Sequence, residues 1–242
     1  MFHVGILAHS ADGAALCFVE MCREAARQLG AHDHPEITLS ILPMGAVLEA
    51  WERMELATIV DYLGRTADRL AAAGCDFFVC PDNTAHIAFE HPGTQLALPG
   101  LHIADIVARR ARDAGHRTLG LLGTTWTMTQ PMYPAALARA GLATITPPEP
   151  DRRRVDEVIF AELCRGEVTD TARRDYVRII ADLERAGCDA VILGCTEIPL
   201  LVTPDVSPLP TLDSTRLLAR AAVAVALGAS PLPRWRGGPP AG

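Results

Sequence analysis

The chain has 242 residues, is 49% hydrophobic and carries a formal net charge of −7. It can therefore fill one large α/β unit or two small domains, and its charge argues against a nucleic-acid partner, which needs a basic face. All 22 basic residues are arginine, so the chain has neither the lysine that anchors pyridoxal phosphate nor the lysine of a Walker-type phosphate loop.

No apolar stretch reaches the roughly 20 residues of a membrane span. The seven cysteines lack the paired short spacing of a zinc site or a disulfide framework, which suits reduced thiols in a cytoplasmic protein. No glycine-rich dinucleotide turn follows Leu7. Neither a bound cofactor nor a metal is expected.

In chain order, Phe2–Leu7 reads as a strand rather than as the start of a signal segment. Ala8-His-Ser-Ala-Asp-Gly13 then turns into a helix expected to face inward with Leu16, Phe18, Val19 and Cys22. His9 in this turn is a substrate contact, a proton carrier, or a loop histidine bonded only to backbone. Glu36–Leu42 alternates as a strand. Leu56–Ala73 repeats Ile59, Leu63, Ala67 and Leu70 at helical spacing and delivers a strand ending at Cys80. Pro81 removes a ladder donor, which is tolerable where a strand turns out toward a site. Asn83 and Thr84 either offer N–H groups to an anion or cap a helix. Cys80 lies on the same strand face as Asp82 but roughly 6–7 Å deeper, and reads as core.

Ala104–Ala114 is the next helix, followed by the strand Thr118–Leu122 and Gly123-Thr-Thr125. Thr124, Thr125 and Thr127 supply hydroxyl and N–H groups suited to a carboxylate. Met132 opens a helix through Ala143, and Thr144-Ile-Thr146 is a short strand. Arg152-Arg-Arg154 is a solvated helix start or a phosphate clamp. Val155–Leu163 and Thr171–Ala186 are helices, the second turning Tyr176, Ile179, Ile180 and Leu183 toward a sheet. Val191-Ile-Leu193 then runs into Gly194, Cys195 and Thr196, as a buried parallel strand does. Its carboxyl end is where open α/β sheets bind ligands, which places Cys195 for chemistry. A cysteine there can also be only a small buried residue. Asp213-Ser-Thr215 can cap a helix over Arg216–Leu227, and the Pro- and Gly-rich residues 229–242, Trp235 included, are expected to be disordered.

Two stretches share one grammar. Cys75-Asp-Phe-Phe-Val-Cys-Pro-Asp-Asn-Thr84 and Cys188-Asp-Ala-Val-Ile-Leu-Gly-Cys-Thr-Glu197 both follow Ala-Gly and both end a strand in polar residues. The expected fold is therefore α/β, two pseudo-symmetric Rossmann-like lobes with parallel sheets whose polar strand ends face one cleft. The lobes are expected over 1–96 with 211–228 and over 97–210.

Gly194-Cys-Thr-Glu-Ile-Pro-Leu-Leu201, Asn83-Thr-Ala-His86, Gly120–Met128, His32-Asp-His-Pro35 and Tyr133 together resemble the aspartate/glutamate racemase superfamily over residues 1 to 228. The resemblance implies a cofactor-independent racemase or epimerase, a homodimer, acting at the carbon next to a carboxylate of an amino-acid-like substrate. Cys195 is then one acid/base. The other falls on Asp82, where the family usually has its first catalytic cysteine. Carried over likewise as substrate contacts are Ser10, Asn83, Thr84, Arg165, Thr196 and Glu197, beside the three threonines. An arginine that aspartate-specific relatives place shortly after the second strand is missing from Met44–Leu48. Two alternatives remain, a one-cysteine decarboxylase or isomerase of a malonate-like acid and a carboxylate-binding homologue without catalysis.

Overall fold

The computed structural model describes residues 1–237, which divide into two units: Met1–Ile103 with the chain from Thr215 onward, and Ala104–Ser214. The first contains β1 (Val4–Ala8), α1 (Ala11–Leu29), β2 (Ile37–Ile41), α2 (Leu48–Glu52), α3 (Leu56–Ala72), β3 (Phe77–Val79), α4 (Asn83–Phe89) and β4 (Gly100–Leu101). Its sheet has the order β2-β1-β3-β4, and all pairings are parallel. β1 and β3 are buried throughout, as strands covered on both faces must be.

In α3, Ile59, Leu63, Ala67 and Leu70 are buried, as their spacing predicts. α1 is turned away from the expected face. Ala14, Cys17, Met21 and Ala25 point inward, whereas Phe18 and Val19 are 39% and 38% exposed and Leu16 and Cys22 are half-buried. Three small residues and Met21 form an alternative strip at helical spacing that packs on β1 and β2. Phe18, the larger hydrophobe, is left outside.

Two lobe boundaries also differ from the expectation. Residues 100–101 form β4 and pair with β3 in the first sheet, and residues 211–213 pair in the second. The segment 229–237 is placed rather than disordered, while 238–242 lie outside the described residues. Gly100 N–H donates to Trp235 O at 2.9 Å and Leu96 N–H to Arg236 O at 2.7 Å, covering a sheet edge that would otherwise stand open. The Trp235 ring stacks on His86 at 5.6 Å and meets Phe78, Phe89 and His102. These ring contacts of a half-buried Trp235 hold a segment whose composition alone reads as loose.

The second unit runs through α5 (Ile103–Asp113), β5 (Thr118–Gly123), α6 (Thr125–Thr129), α7 (Met132–Arg139), β6 (Ala143–Ile145), α8 (Glu149–Ala161), α9 (Asp170–Arg185), β7 (Ala190–Gly194), α10 (Ile198–Leu201) and β8 (Thr211–Asp213), and α11 (Ser214–Ala226) follows. Its sheet order is β6-β5-β7-β8, again parallel. The same sequence of parts is thus wound twice, in agreement with the repeat. Tyr176, Ile179, Ile180 and Leu183 of α9 are buried.

β5 and β7 end together, with Gly123 opposite Gly194. A Cβ on Gly194 would stand 2.9 Å from the Leu122 carbonyl oxygen and 3.3 Å from Thr127 Cγ2. Backbone cannot give way as a side-chain tip can, so Gly194→Ala is expected to cost about 2 kcal/mol in urea denaturation. Gly45→Ala, which meets nothing within 4 Å, is the control and should stay near wild type.

Candidate active site

In each sheet the strand order reverses between its first and third strands in sequence, β1/β3 and β5/β7. The carboxyl ends at such a switch point frame the crevice where α/β sheets take ligands. Asp82 and Cys195 each stand at the switch point of their own sheet, Asp82 in the first unit and Cys195 in the second.

At the first switch point the candidate side chains double as helix caps. Ser10 is the N-cap of α1, its Oγ accepting from Gly13 N–H at 3.0 Å. Asp82 is the N-cap of α4, its Oδ1 accepting from Ala85 N–H at 3.1 Å. The capping role weighed for Asn83 and Thr84 thus falls on Asp82, which leaves Oδ2 as the oxygen free of the cap. Asn83 is buried and Thr84 half-buried in the first turn of α4.

His86 anchors this turn from below. Ile103 N–H donates to its Nε2 at 3.3 Å, so Nδ1 carries the ring proton and donates to the Asp82 carbonyl oxygen at 2.8 Å. Burial, and then the neighbouring His102, push its pKa down to about 3. It is a neutral structural histidine.

At the second switch point Thr124 caps α6, accepting from Thr127 N–H at 3.2 Å, and the two hydroxyls lie 3.1 Å apart. Thr127 is buried against Gly123 and Gly194. Thr125 is exposed, and its N–H donates to Asp156 Oδ1 at 2.6 Å. Cys195 is partly exposed, and Thr196 and Glu197 are buried. The Cys195 thiol donates to Glu197 Oε2 at 2.8 Å. Glu197 therefore touches the candidate sulfur.

Desolvation pushes the Cys195 thiol well above its ordinary range. The Glu197 charge and the hydrogen bond to its carboxylate push the same way, against a smaller opposing effect of the Glu197 backbone N–H. The thiol is accordingly protonated at neutral pH in the free protein. Arg165 closes a short 3-10 turn, Leu163–Arg165, that packs against α10. It is exposed and makes no ion pair among the described residues. No three His, Cys, Asp or Glu side chains among the described residues are grouped to hold a metal ion.

Two residues near these strand ends carried no sequence signal. Tyr176, read as a core residue of α9, lies close enough to Cys195 for a thiolate there to disfavour its own ionisation, and its hydroxyl donates to Val155 O at 2.9 Å. Trp51, an unremarked residue of α2, reaches His9 across 42 positions at 2.9 Å.

These environments have measurable consequences. In Glu197→Gln the charge and the acceptor that raise the Cys195 pKa are both removed. More of the thiol is then ionised at pH 8, and alkylation of the Cys195 peptide, followed by mass spectrometry, should quicken by about tenfold. His86 is neutral when folded but takes up a proton below about 6.5 when unfolded. Its contribution is complete above pH 6.5 and is lost as pH falls toward 3, a loss of about 3 kcal/mol between pH 7 and pH 4. The same interval should cost His86→Asn distinctly less in urea titrations.

Comparison with known proteins agrees with this architecture. The family model described as Asp/Glu/Hydantoin racemase matches residues 13–222. A Yersinia pestis protein crystallised as a candidate Asp/Glu racemase is 32% identical, with 94% of this chain and 100% of that one covered at a TM-score of 0.83. An aspartate racemase homologue from Pyrococcus horikoshii OT3 is 27% identical over the same shares, with a TM-score of 0.78. The broad specificity amino-acid racemase RacX of Bacillus subtilis is 25% identical over 161 residues, 66% of this chain and 69% of RacX. With a family model spanning most of its length and the two-sheet fold of these relatives, the chain belongs to the Asp/Glu/hydantoin racemase family.

Proposed function

We propose that the protein is a cofactor-independent racemase or epimerase that moves the proton on the carbon next to a carboxylate, with Cys195 and Asp82 as its two acid/base groups. The contact between Cys195 Sγ and Glu197 Oε2 carries this reading. A core cysteine needs no buried carboxylate at its sulfur, whereas an acid/base thiol needs a place for its proton. Transfer along this hydrogen bond leaves a thiolate and a protonated Glu197. A bound amino acid's ammonium group would favour the thiolate, as opposite charges favour the charged form. The thiolate then takes the α-proton while Asp82, in its acid form, gives the proton on Oδ2 to the other face and is left as the carboxylate; in the reverse direction the Asp82 carboxylate takes the α-proton and the Cys195 thiol returns one. Glu197, expected to bind substrate, becomes the thiol's partner.

Exposed and free of ion pairs, Arg165 suits a substrate carboxylate. The hydroxyls of Ser10, Thr84, Thr124, Thr125, Thr127 and Thr196 and the amide of Asn83 supply the remaining polar contacts. The seven free thiols support a cytoplasmic setting, and a homodimer is part of the same proposal.

The engagement of Asp82 as the α4 cap favours a second reading, a one-thiol decarboxylase or isomerase in which Asp82 only shapes the turn. Both readings need Cys195. A panel of D- and L-amino acids and substituted malonates in heavy water should reveal α-proton exchange with at least one amino acid. Cys195→Ala should lower it by about 10²–10⁴-fold. Undiminished exchange in Cys195→Ala would sink both readings, and carbon dioxide release from a malonate without amino-acid exchange would select the second.

A further inference from the structure

His9 follows directly from β1 and is buried, at 3% exposure. Trp51 donates its indole N–H to His9 Nε2 at 2.9 Å, with the two rings 5.8 Å apart. An indole nitrogen can only donate, so Nε2 is the acceptor and the ring proton resides on Nδ1. An imidazolium does not fit this contact, because two N–H groups would face each other. Nδ1 is shielded from solvent and has no hydrogen-bond partner among the described residues.

A buried N–H without an acceptor costs about 1–3 kcal/mol, and such costs persist mainly where function uses them. The position agrees. The last paired residues of β1 and β3 are Ile6 and Val79, and His9 and Asp82 each lie three residues beyond, at the switch point of the first sheet. Met44–Leu48, just before Trp51, contains no arginine. The donor therefore stands where Met44–Leu48 supplies no guanidinium.

We propose that His9 is a substrate-recognition residue whose Nδ1–H donates to a carboxylate oxygen of the substrate, and that Trp51 is a positioning residue that fixes the tautomer. This deepens the racemase reading and rests on its assignment of the substrate to the strand end that bears Asp82. Nδ1 is shielded in the free protein, so binding of the ligand oxygen requires the Ala8–Ser10 turn to shift.

The test uses the full chain labelled with ¹⁵N-histidine, with malonate, L-aspartate, L-glutamate and L-alanine as probes. Two-bond ¹H–¹⁵N spectra of the free protein, assigned by loss of signal in His9→Asn, should show His9 with Nδ1 protonated and Nε2 bare. At least one probe should move the Nδ1–H resonance and slow its exchange with water. Trp51→Phe keeps the aromatic surface but removes the indole donor. It should yield a mixture of tautomers and weaken binding of that probe by about tenfold, the worth of one hydrogen bond.

His9→Ala should bind at least as weakly, and His9→Asn, which retains a side-chain N–H, should recover most of the affinity. A ring protonated on Nε2, an Nδ1–H that no probe moves, or wild-type affinity in both His9→Ala and Trp51→Phe would overturn the proposal. The spectra read binding and not turnover. A protein that engages a carboxylate through His9 yet exchanges no α-proton would refute the racemase reading and leave this one standing.

Discussion

Parallel pairing of β5 with β7 leaves no room for a side chain where both strands stop. Gly123 and Gly194 face each other there, each with its missing Cβ 2.9 Å from the other strand's backbone or carbonyl oxygen. The strands can consequently end in register, and the residues after them, Thr124 and Cys195, emerge side by side. The thiol then meets the Glu197 carboxylate within two residues of its own chain. A bulkier pair would push the strand ends apart, so the placement of Thr124 and Cys195 depends on a steric fact of the second sheet.

The same economy governs the junctions between strands and helices. Ser10, Asp82 and Thr124 each follow a strand of a switch point, and each accepts a hydrogen bond from the first turn of the next helix. An N-cap contributes about 1 kcal/mol, enough to matter in a marginally stable fold. Capping also holds each side chain in one place at the strand end. In the proposed function the same oxygens serve the ligand, because a cap and a ligand contact both require an oxygen at a strand's carboxyl end.

Much of this was legible in the residues. The repeated Ala-Gly-Cys-Asp before two apolar runs announced two similar units, and β3 and β7 occupy the same place in sheets of the same order. The place of Cys195 at a strand's carboxyl end was legible because an apolar run stopped at it. What remained hidden came from contacts between distant residues. Trp51 and His9 are 42 positions apart, and no local pattern predicts their bond. Trp235 lies in a segment whose composition reads as disorder, and only the aromatic cluster around His86 explains why it is held. The inner face of α1 was misread because periodicity was weighted toward Leu16, Phe18 and Val19, whereas the strip that packs on β1 is Ala14, Cys17, Met21 and Ala25.

The central claim is that a thiol and a carboxyl, unequal groups, serve opposite faces of one carbon. Exchange of the α-proton in heavy water, followed separately from each enantiomer of the best amino acid with Asp82→Asn, tests it most directly. Asparagine keeps the size of the side chain and an acceptor oxygen for the α4 cap but cannot deliver a proton. The account predicts that the enantiomer whose α-proton faces Cys195 still exchanges with retention, that its mirror image does not, and that interconversion ceases. Interconversion by Asp82→Asn at the wild-type rate would contradict it and reduce Asp82 to a residue of the turn.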